Sequence, residues 1–407
     1  MYALAASTQL DLPMVDHPRG GKNHQRAMRV LTLTSFYPTA SDDAEGCFIA
    51  EPLRELEHFG VHSCVVAVRP LHRSSSGSNA ITPVANWVRY PCLPGGIGLA
   101  SAGAFLYASL ISKIRRLHWS QPIDLIHAHA ALPCGHAAIL LSRELGIPCV
   151  VTVHGLDAFF DNQVRGHAGQ WCKRVTQLVY RSAARVICIS DKVAEKVADS
   201  AAGPLNARVI YNSVDTQMFS PSSAELPPTS ILSVGNLISI KGHELLVRAL
   251  AAVLPHYPNV SVEIIGDGPE YHRLSKLANE CNIAGKVRFL GRQSRKQVAE
   301  AMRRCILFAL PSRYEGLGCV YLEAMSTEKP AIACRGQGID GIIQHGTNGW
   351  LIDPGNLREL ITALSTLLQN LQLRQQIGEA ARRTILYGLT TTHQADQLAA
   401  LYRECVA

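Results

Sequence analysis

The sequence predicts an α/β protein of two doubly wound, parallel-sheet domains facing a central cleft. Three observations carry this expectation. Short β-branched runs alternate with helical patterns along the chain. The alternation stops at a Pro/Ser-rich stretch, "MFSPSSAELPPTS" at 218–230, and then restarts. The length of 407 residues, with 47% hydrophobic and 17% charged content, favours two domains over one.

In the first half, "RVLTLTS", "HSCVVAVR", "IDLIHAH", "IPCVVTVH", "RVICIS" and "ARVIYN" read as strands. Helical patterns fall between them near 48–58, 102–117, 135–145, 170–183 and 191–198. In the second half the strands are "ILSVGN", "VSVEIIGDG", "KVRFLG", "CILFALPS", "PAIAC" and "GWLID", with helices near 241–254, 269–281, 294–304 and 319–327. Helical patterns fill 356–386, "YGLTTTH" breaks them, and a last helix runs to about 405, placed to cross back to the first domain. The expected division is a disordered extension at 1–28, a first domain at 29–212, a second at 213–387 and the crossing helix at 388–407. Residues 1–27 carry Asp11, Asp16, Arg19, Lys22 and Arg26 without a continuous apolar stretch, which makes them a poor signal peptide and leaves Met28 as an alternative start.

A formal charge of +7 suits lipid headgroups, phosphorylated small molecules or nucleic acid. Aromatic content of 6% is too sparse for a base-stacking platform, so no nucleic-acid partner is expected. Twelve cysteines are scattered singly with no C-x-x-C pair, the usage of a reduced, cytoplasmic protein. The run "GIGLASAGAFLYASLIS" at 96–112 is shorter than the roughly 20 residues a membrane-spanning helix needs. With "KIRRLHW" behind it, the run reads either as a buried helix with a solvated basic end or as a membrane-surface helix.

In open α/β sheets ligands sit beyond the carboxyl ends of strands. Four strand-end turns of the second half stand out there. "VGNLISIKG" puts Lys241 at a helix entrance, six residues past Gly235; "IIGDGPE" ends a strand on Gly266 and Gly268; "FLGRQS" ends on Gly291; and "SRYEGLGCV" follows "CILFALP". Amides at a helix entrance attract phosphate oxygens, glycine permits close approach, and a lysine adds full charge: together they describe a diphosphate site. Glu315 and Glu323, eight positions apart across that last turn, suit the hydroxyls of a ribose or hexose. Taken singly, each has a plainer reading: a glycine turn, a solvated lysine, and for Glu323 an ion-pair partner.

The Glu-x7-Glu pattern in "YEGLGCVYLEAM", with "IKGHELL", resembles the donor-binding half of glycosyltransferase family 4, the retaining group 1 glycosyltransferases of GT-B fold. The similarity extends from Arg29 over nearly the whole chain. It implies two Rossmann-like domains, with Glu323 on the nucleotide ribose, Glu315 and the amides of Gly316, Leu317 and Gly318 on the donor sugar, and the amides of Cys319 and Val320 on the diphosphate. Lys241 matches the lysine that neutralises the leaving diphosphate; Asn236 stands where arginine is common; Gly266 and the loop at Arg292 fall where the base is held. In the first half "FYPTASDDAEGCFIAEPLREL" resembles the family's glycine loop, with Gly46 near the diphosphate. "VVTVHGLDAFF" resembles its HG-x-D segment, with His154 on the donor sugar and Asp157 on the acceptor side. The histidines of "IHAHAALPCGH", His127, His129 and His136, match the acceptor-side segment more loosely. Departures are Asn236, Glu328 in place of a usual glycine, and Gln337, Asp340 and Gly341 where glycine, proline and glutamate are frequent.

The resemblance implies a retaining, metal-independent transfer in which Lys241, Glu315 and His154 are the catalytic candidates, with no cofactor beyond the nucleotide-sugar donor. No D-x-D metal motif occurs in the chain. The implied acceptor is a glycan or a polyprenyl-diphosphate-linked sugar at the inner face of an anionic membrane, in exopolysaccharide or cell-surface glycan assembly. The alternatives are a sugar-nucleotide epimerase or hydrolase of the same architecture, or a non-catalytic nucleotide-sugar-binding subunit. A dinucleotide oxidoreductase is excluded because "LTSFYPTASDDAEG" lacks the G-x-G-x-x-G its first turn requires.

Overall fold

The computed structural model of the chain describes residues 26–72, 82–93, 95–155, 164, 166–201, 203, 205–222 and 230–407. Seven strands form a first sheet: β1 (Met28–Thr34), β2 (Val61–Pro70), β3 (Ala85–Tyr90), β4 (Leu125–His129), β5 (Cys149–Val153), β6 (Arg185–Cys188) and β7 (Ala207–Val209). Their order is β3-β2-β1-β4-β5-β6-β7, and every pairing is parallel. Strands β4 and β5 are buried along their whole length, which is why they read as continuous apolar runs rather than alternating ones. Strand β3 escapes the sequence pattern. It is an edge strand paired only with β2, and its six residues mix buried, half-buried and exposed positions without strict alternation, which makes a weak signal.

The second sheet is β10-β9-β8-β11-β12-β13, again all parallel, from β8 (Ser230–Val234), β9 (Ser261–Ile265), β10 (Val287–Phe289), β11 (Cys305–Ala309), β12 (Ala331–Cys334) and β13 (Trp350–Ile352). In each sheet the winding reverses beside its first strand, between β1 and β4 and between β8 and β11. That is where an open sheet offers a crevice.

The helices of the first half are α1 (Cys47–Leu56), α2 (Gly95–Ser120), α3 (His136–Leu145), α4 (Gly166–Ser182) and α5 (Asp191–Ala201). Those of the second are α6 (His243–Val253), α7 (Tyr271–Glu280), α8 (Arg295–Arg304), α9 (Cys319–Ser326), α10 (Leu357–Gln369), α11 (Leu371–Gly388) and α12 (Thr391–Val406). The pattern at 356–386 is two helices, because the Asn370 side chain accepts from the Leu373 amide at 2.9 Å and starts a new one. Helix α12 lies on the first domain: Leu398, Ala399, Leu401 and Tyr402 share a buried cluster with Ile49, Ala50, Leu53 and Leu56 of α1.

Helix α2 buries Ala102, Leu106, Leu110 and Ile114 at four-residue spacing and exposes Trp119 at its end. Among the described residues no helix is long and apolar enough to cross a membrane. The expected extension at 1–28 is too long at its inner end: Met28 begins β1, and the Arg26 guanidinium donates to Pro122 O at 2.6 Å and Asp124 Oδ1 at 3.1 Å. Residues 1–25 lie outside the described residues. All twelve cysteines are free thiols.

Candidate active site

The carboxyl ends of β8, β9 and β11 meet first. Gly266 has φ +142, and a Cβ there would lie 2.0 Å from Gly235 O, so only glycine lets these two strand ends abut. Past Gly235 and Asn236 a short turn, Ser239–Lys241, leads through the left-handed Gly242 into α6. It delivers Lys241 Nζ to Glu315 Oε1 at 2.6 Å. Glu315 is nearly buried and fixed on both sides: its amide donates to Gln337 Oε1 and its carbonyl accepts from the Gly338 amide, both at 3.1 Å. Behind the lysine, burial lowers the His243 pKa to about 4, so this imidazole stays neutral.

Glu315 leads through Gly316 and Leu317 to Gly318, a left-handed N-cap at φ 80 that gives α9 no side-chain cap. The first amides of α9, those of Cys319 and Val320, therefore keep their donors for another partner. The structure thus brings Lys241, Glu315 and the α9 entrance together. Two departures from the family pattern acquire a physical account. Gln337 supports the Glu315 turn, and Glu328 sits at φ 60, a left-handed position that glycine occupies without strain.

The opposite wall is built from β4, β5 and β6. His129 ends β4 and His154 follows β5; His129 Nδ1 and His154 Nε2 are hydrogen-bonded at 3.0 Å. Below them His127 bonds Tyr402 of α12 through Nδ1 at 2.6 Å and Thr152 through Nε2 at 2.7 Å, with its ring 4.3 Å from that of His129. Burial holds His127 and His154 at about 3 and His129 well below the ordinary range, so all three are neutral near pH 7. A small cavity lies against them, lined by Phe48, Ile49, His129, His154, Asn212 and Gln394 among others. His136 is not part of this chain of contacts; its ring packs at Gly103 of α2. Asp157 lies outside the described residues.

The walls touch. A Cβ on Gly316 would lie 2.7 Å from His154 O and 3.1 Å from Gly155 Cα. Ser190 Oγ, one turn beyond β6, donates to Gly316 O at 2.6 Å, and Asn212 Nδ2 reaches Cys319 Sγ at 3.6 Å. Gly46 is the left-handed N-cap of α1, with no side-chain cap; a Cβ would lie 2.5 Å from the Phe36 carbonyl carbon. Burial raises the Cys47 thiol well above its usual value, with Arg295 opposing and Glu51, Glu323 and Cys319 adding. That mutual influence reflects how close the α1 and α9 entrances come across the cleft.

Glu323 and Arg292 are engaged with side chains. Glu323 Oε1 accepts from Arg295 at 2.5 Å, the ion-pair partner that its plainer reading allows, and Arg292 pairs with Asp42 of the first domain. Arg295 also holds Glu51 of α1 at 2.6 Å. Glu51, Ser190, Arg295, Gln337 and Tyr402 are the site residues that motif reading missed. Signals were available for two of them: Glu51 is an acid set among the apolar residues of "CFIAEPLREL", and Gln337 stood out as a departure from the family pattern; nothing in the local pattern marks Ser190, Arg295 or Tyr402. Among the described residues no group of three or more His, Cys, Asp or Glu side chains could hold a metal ion.

Comparison with known proteins identifies the family. The family of glycosyl transferases group 1 matches residues 215–384, and Glycosyltransferase Family 4 matches residues 48–218. An uncharacterized glycosyltransferase of Methanocaldococcus jannaschii is 32% identical over 261 residues, 64% of this chain and 70% of the relative. Sucrose-phosphate synthase from Thermosynechococcus elongatus shares the fold with a TM-score of 0.77 at 20% identity, over 92% of this chain and 98% of that one. HepE of Anabaena, solved in complex with UDP-glucose, gives 0.72 at 20% identity over 93% and 100%. The chain belongs to the group 1 glycosyltransferases, glycosyltransferase family 4, and is a glycosyltransferase of GT-B fold.

Proposed function

We propose that the chain moves a sugar from a nucleotide-diphosphate sugar to a hydroxyl of a glycan or polyprenyl-diphosphate-linked acceptor, with retention at the anomeric carbon. The observation that carries this reading is the Lys241–Glu315 ion pair at 2.6 Å, set beside an uncapped helix entrance in a cleft whose other wall presents His154 and Gly46. The UDP-glucose bound to HepE, a protein of the same fold, supports a nucleotide-sugar as donor.

In this reading the diphosphate lies against Lys241 and the amides of Cys319 and Val320, with Gly46 opposite and Asn236 and Gly266 at the nucleoside end. Glu323 takes the ribose, Glu315 and the amides of Gly316, Leu317 and Gly318 take the donor sugar, and Arg292 flanks the base. As the bond from the anomeric carbon to the phosphate oxygen breaks, negative charge grows on the diphosphate. Lys241 and the α9 amides stabilise that charge, and loss of such a donor typically costs on the order of a hundredfold in rate. The acceptor oxygen forms the new bond on the same face, and its proton passes to the departing phosphate oxygen. His154, neutral through burial, donates or accepts a hydrogen bond at the sugar without adding charge. His129 orients it and faces the acceptor. In this reading Lys241 and the α9 amides provide the stabilisation of the leaving group, and no metal is called on.

The setting we infer is the cytoplasmic face of a membrane carrying the lipid-linked acceptor, in exopolysaccharide or other cell-surface glycan assembly. Trp119 is exposed at the end of α2 near Arg116, and Trp171 is exposed on α4 near Lys173 and Arg174; in this reading each pairing of a tryptophan with basic residues meets an anionic headgroup layer. A panel of nucleotide-sugars, read by thermal stabilisation and slow donor hydrolysis, tests the reading with Glu323→Ala and Lys241→Ala alongside the wild type. One donor should stabilise the wild type, and both substitutions should weaken the effect. If no nucleotide or nucleotide-sugar shifts the melting point at millimolar concentration, the donor site is wrongly assigned.

A further inference from the structure

Arg295, the first residue of α8, joins the two walls of the cleft through both its backbone and its side chain. Its amide donates to the Asp43 carboxylate, at 3.1 Å to Oδ1 and 3.2 Å to Oδ2. Its guanidinium gives Nη2 to Glu51 Oε1 at 2.6 Å and Nη1 to Glu323 Oε1 at 2.5 Å, with its plane over the Phe219 ring 4.9 Å away. None of the three charged side chains is more than 8% exposed. Glu51 belongs to the first domain; Glu323 and Arg295 belong to the second.

A buried guanidinium between two buried acids is a poor adhesive. Desolvating three charges offsets most of their attraction, and apolar side chains of similar size would hold two domains together as well or better. Burial raises the Glu51 pKa to about 7, with the Arg295 guanidinium opposing, so the acid that reaches across the cleft is only partly ionised near neutral pH. What the triad supplies instead is linkage. The acid that meets the donor's ribose in our reading is held from one side by a residue whose other hand grips the opposite domain. The pair engages Oε1 of Glu323, which leaves Oε2 for a ribose hydroxyl.

We propose that Arg295 is a positioning residue that couples ribose capture to cleft closure, orienting Glu323 only while Glu51 is brought against it. The proposal rests on the assignment of Glu323 to the ribose. With the cleft open, Arg295 loses Glu51 and Asp43, Glu323 loses its fixed orientation, and the nucleoside half of the donor is held weakly. With the cleft closed, the same contacts favour a bound ribose and a shut site together, so each strengthens the other by the same factor.

The test uses UDP and GDP as probes, each compared with its 2′,3′-dideoxy analogue, which lacks the hydroxyls that Glu323 would accept. Binding is measured for the wild type, Arg295→Met, Arg295→Lys, Glu51→Gln and Glu323→Ala, and solution scattering follows compaction on nucleotide addition. The wild type should prefer the ribonucleotide. Arg295→Met should lose on the order of tenfold or more in affinity for it while binding the dideoxy form nearly as the wild type does. Arg295→Lys should recover part of the loss. Glu51→Gln, which keeps the shape of the side chain and removes its charge, should reduce both the preference and the compaction.

Equal weakening of ribo- and dideoxynucleotide in Arg295→Met and Glu51→Gln would reduce Arg295 to structural support and overturn the proposal. If Arg295→Met does not fold, the Glu51→Gln and Arg295→Lys comparisons decide alone, by the same criterion. A wild type that prefers the ribonucleotide while Glu323→Ala keeps that preference would overturn the donor-site assignment itself, a result distinct from failure of the coupling. A wild type with no ribose preference overturns both.

Discussion

Replacing Lys241 by methionine separates the chemistry of the ion pair from its structural contribution. Lys241 Nζ stands 2.6 Å from Glu315 Oε1, with side chains 21% and 9% exposed. At an effective dielectric of ~20 the gross attraction is about 6 kcal/mol, most of it offset by desolvation. Stranding the Glu315 carboxylate should cost about 2 kcal/mol, less than for a fully buried pair because water reaches the lysine end. For domains of this size the melting point should fall by roughly 4–8 °C. Transition-state stabilisation of the diphosphate is a separate loss, on the order of a hundredfold or more in kcat, or about 2.7 kcal/mol. The double variant Lys241→Met/Glu315→Gln distinguishes the two, because removing both charges leaves no stranded carboxylate. Thermal denaturation should return to within about 1 kcal/mol of the wild type, while sugar transfer at saturating donor stays down. Recovery of rate together with stability would refute the electrostatic role of Lys241, as would a single variant whose kcat falls by less than about threefold.

Four further outcomes follow from particular contacts. Glu328→Gly should stabilise the chain by up to ~1 kcal/mol in denaturant titration, since φ 60 is strained for glutamate and the ion pair lost with Arg382 is a long 3.9 Å contact. Gly316→Ala should place a methyl 2.7 Å from His154 O, so transfer activity should drop at least tenfold with little change in melting point; unchanged activity would show that the walls need not meet. Ser190→Ala, which removes both the 2.6 Å bond to Gly316 O and the 3.2 Å bond that the hydroxyl accepts from the Val193 amide of α5, should cost about 1–2 kcal/mol and raise the donor KM. Acid should destabilise the first domain. His127 and His154 have folded pKa values lowered to about 3, so the stability they contribute is present above about pH 6.5 and is lost as the pH falls toward 3; by pH 5 the loss is about 2 kcal/mol for each, and His127→Gln should remove its own share.

How far the sequence could be read depended on the range of the contact concerned. Strands such as β5 and β11, buried along all or most of their length, declare themselves locally, as does the Glu-x7-Glu turn into α9. Edge strand β3 and the break at Asn370 are weaker signals of the same kind: one mixes buried Ala85, Val88 and Tyr90 with half-exposed and exposed residues, and the other rests on a single capping side chain. The Lys241–Glu315 pair spans 74 positions yet was foreseeable, because each partner sits at the end of a strand and the two strands, β8 and β11, are neighbours in the sheet. Glu51–Arg295 and Ser190–Gly316 were not. They cross between the sheets, and their meeting depends on how the two domains are set against each other, which neither periodicity nor spacing encodes. Glu323 shows the consequence: its motif names its position, while its Arg295 partner comes from a capping-box helix start that looks ordinary in sequence.

The most direct measurement is a crystal structure of the chain with a nucleoside diphosphate and an unreactive analogue of the donor sugar. A diphosphate between Lys241 and the amides of Cys319 and Val320, with the ribose on Glu323 and the sugar facing Glu315 and His154, is the predicted result. A nucleotide bound away from the α9 entrance, with the Lys241–Glu315 pair untouched, would contradict it.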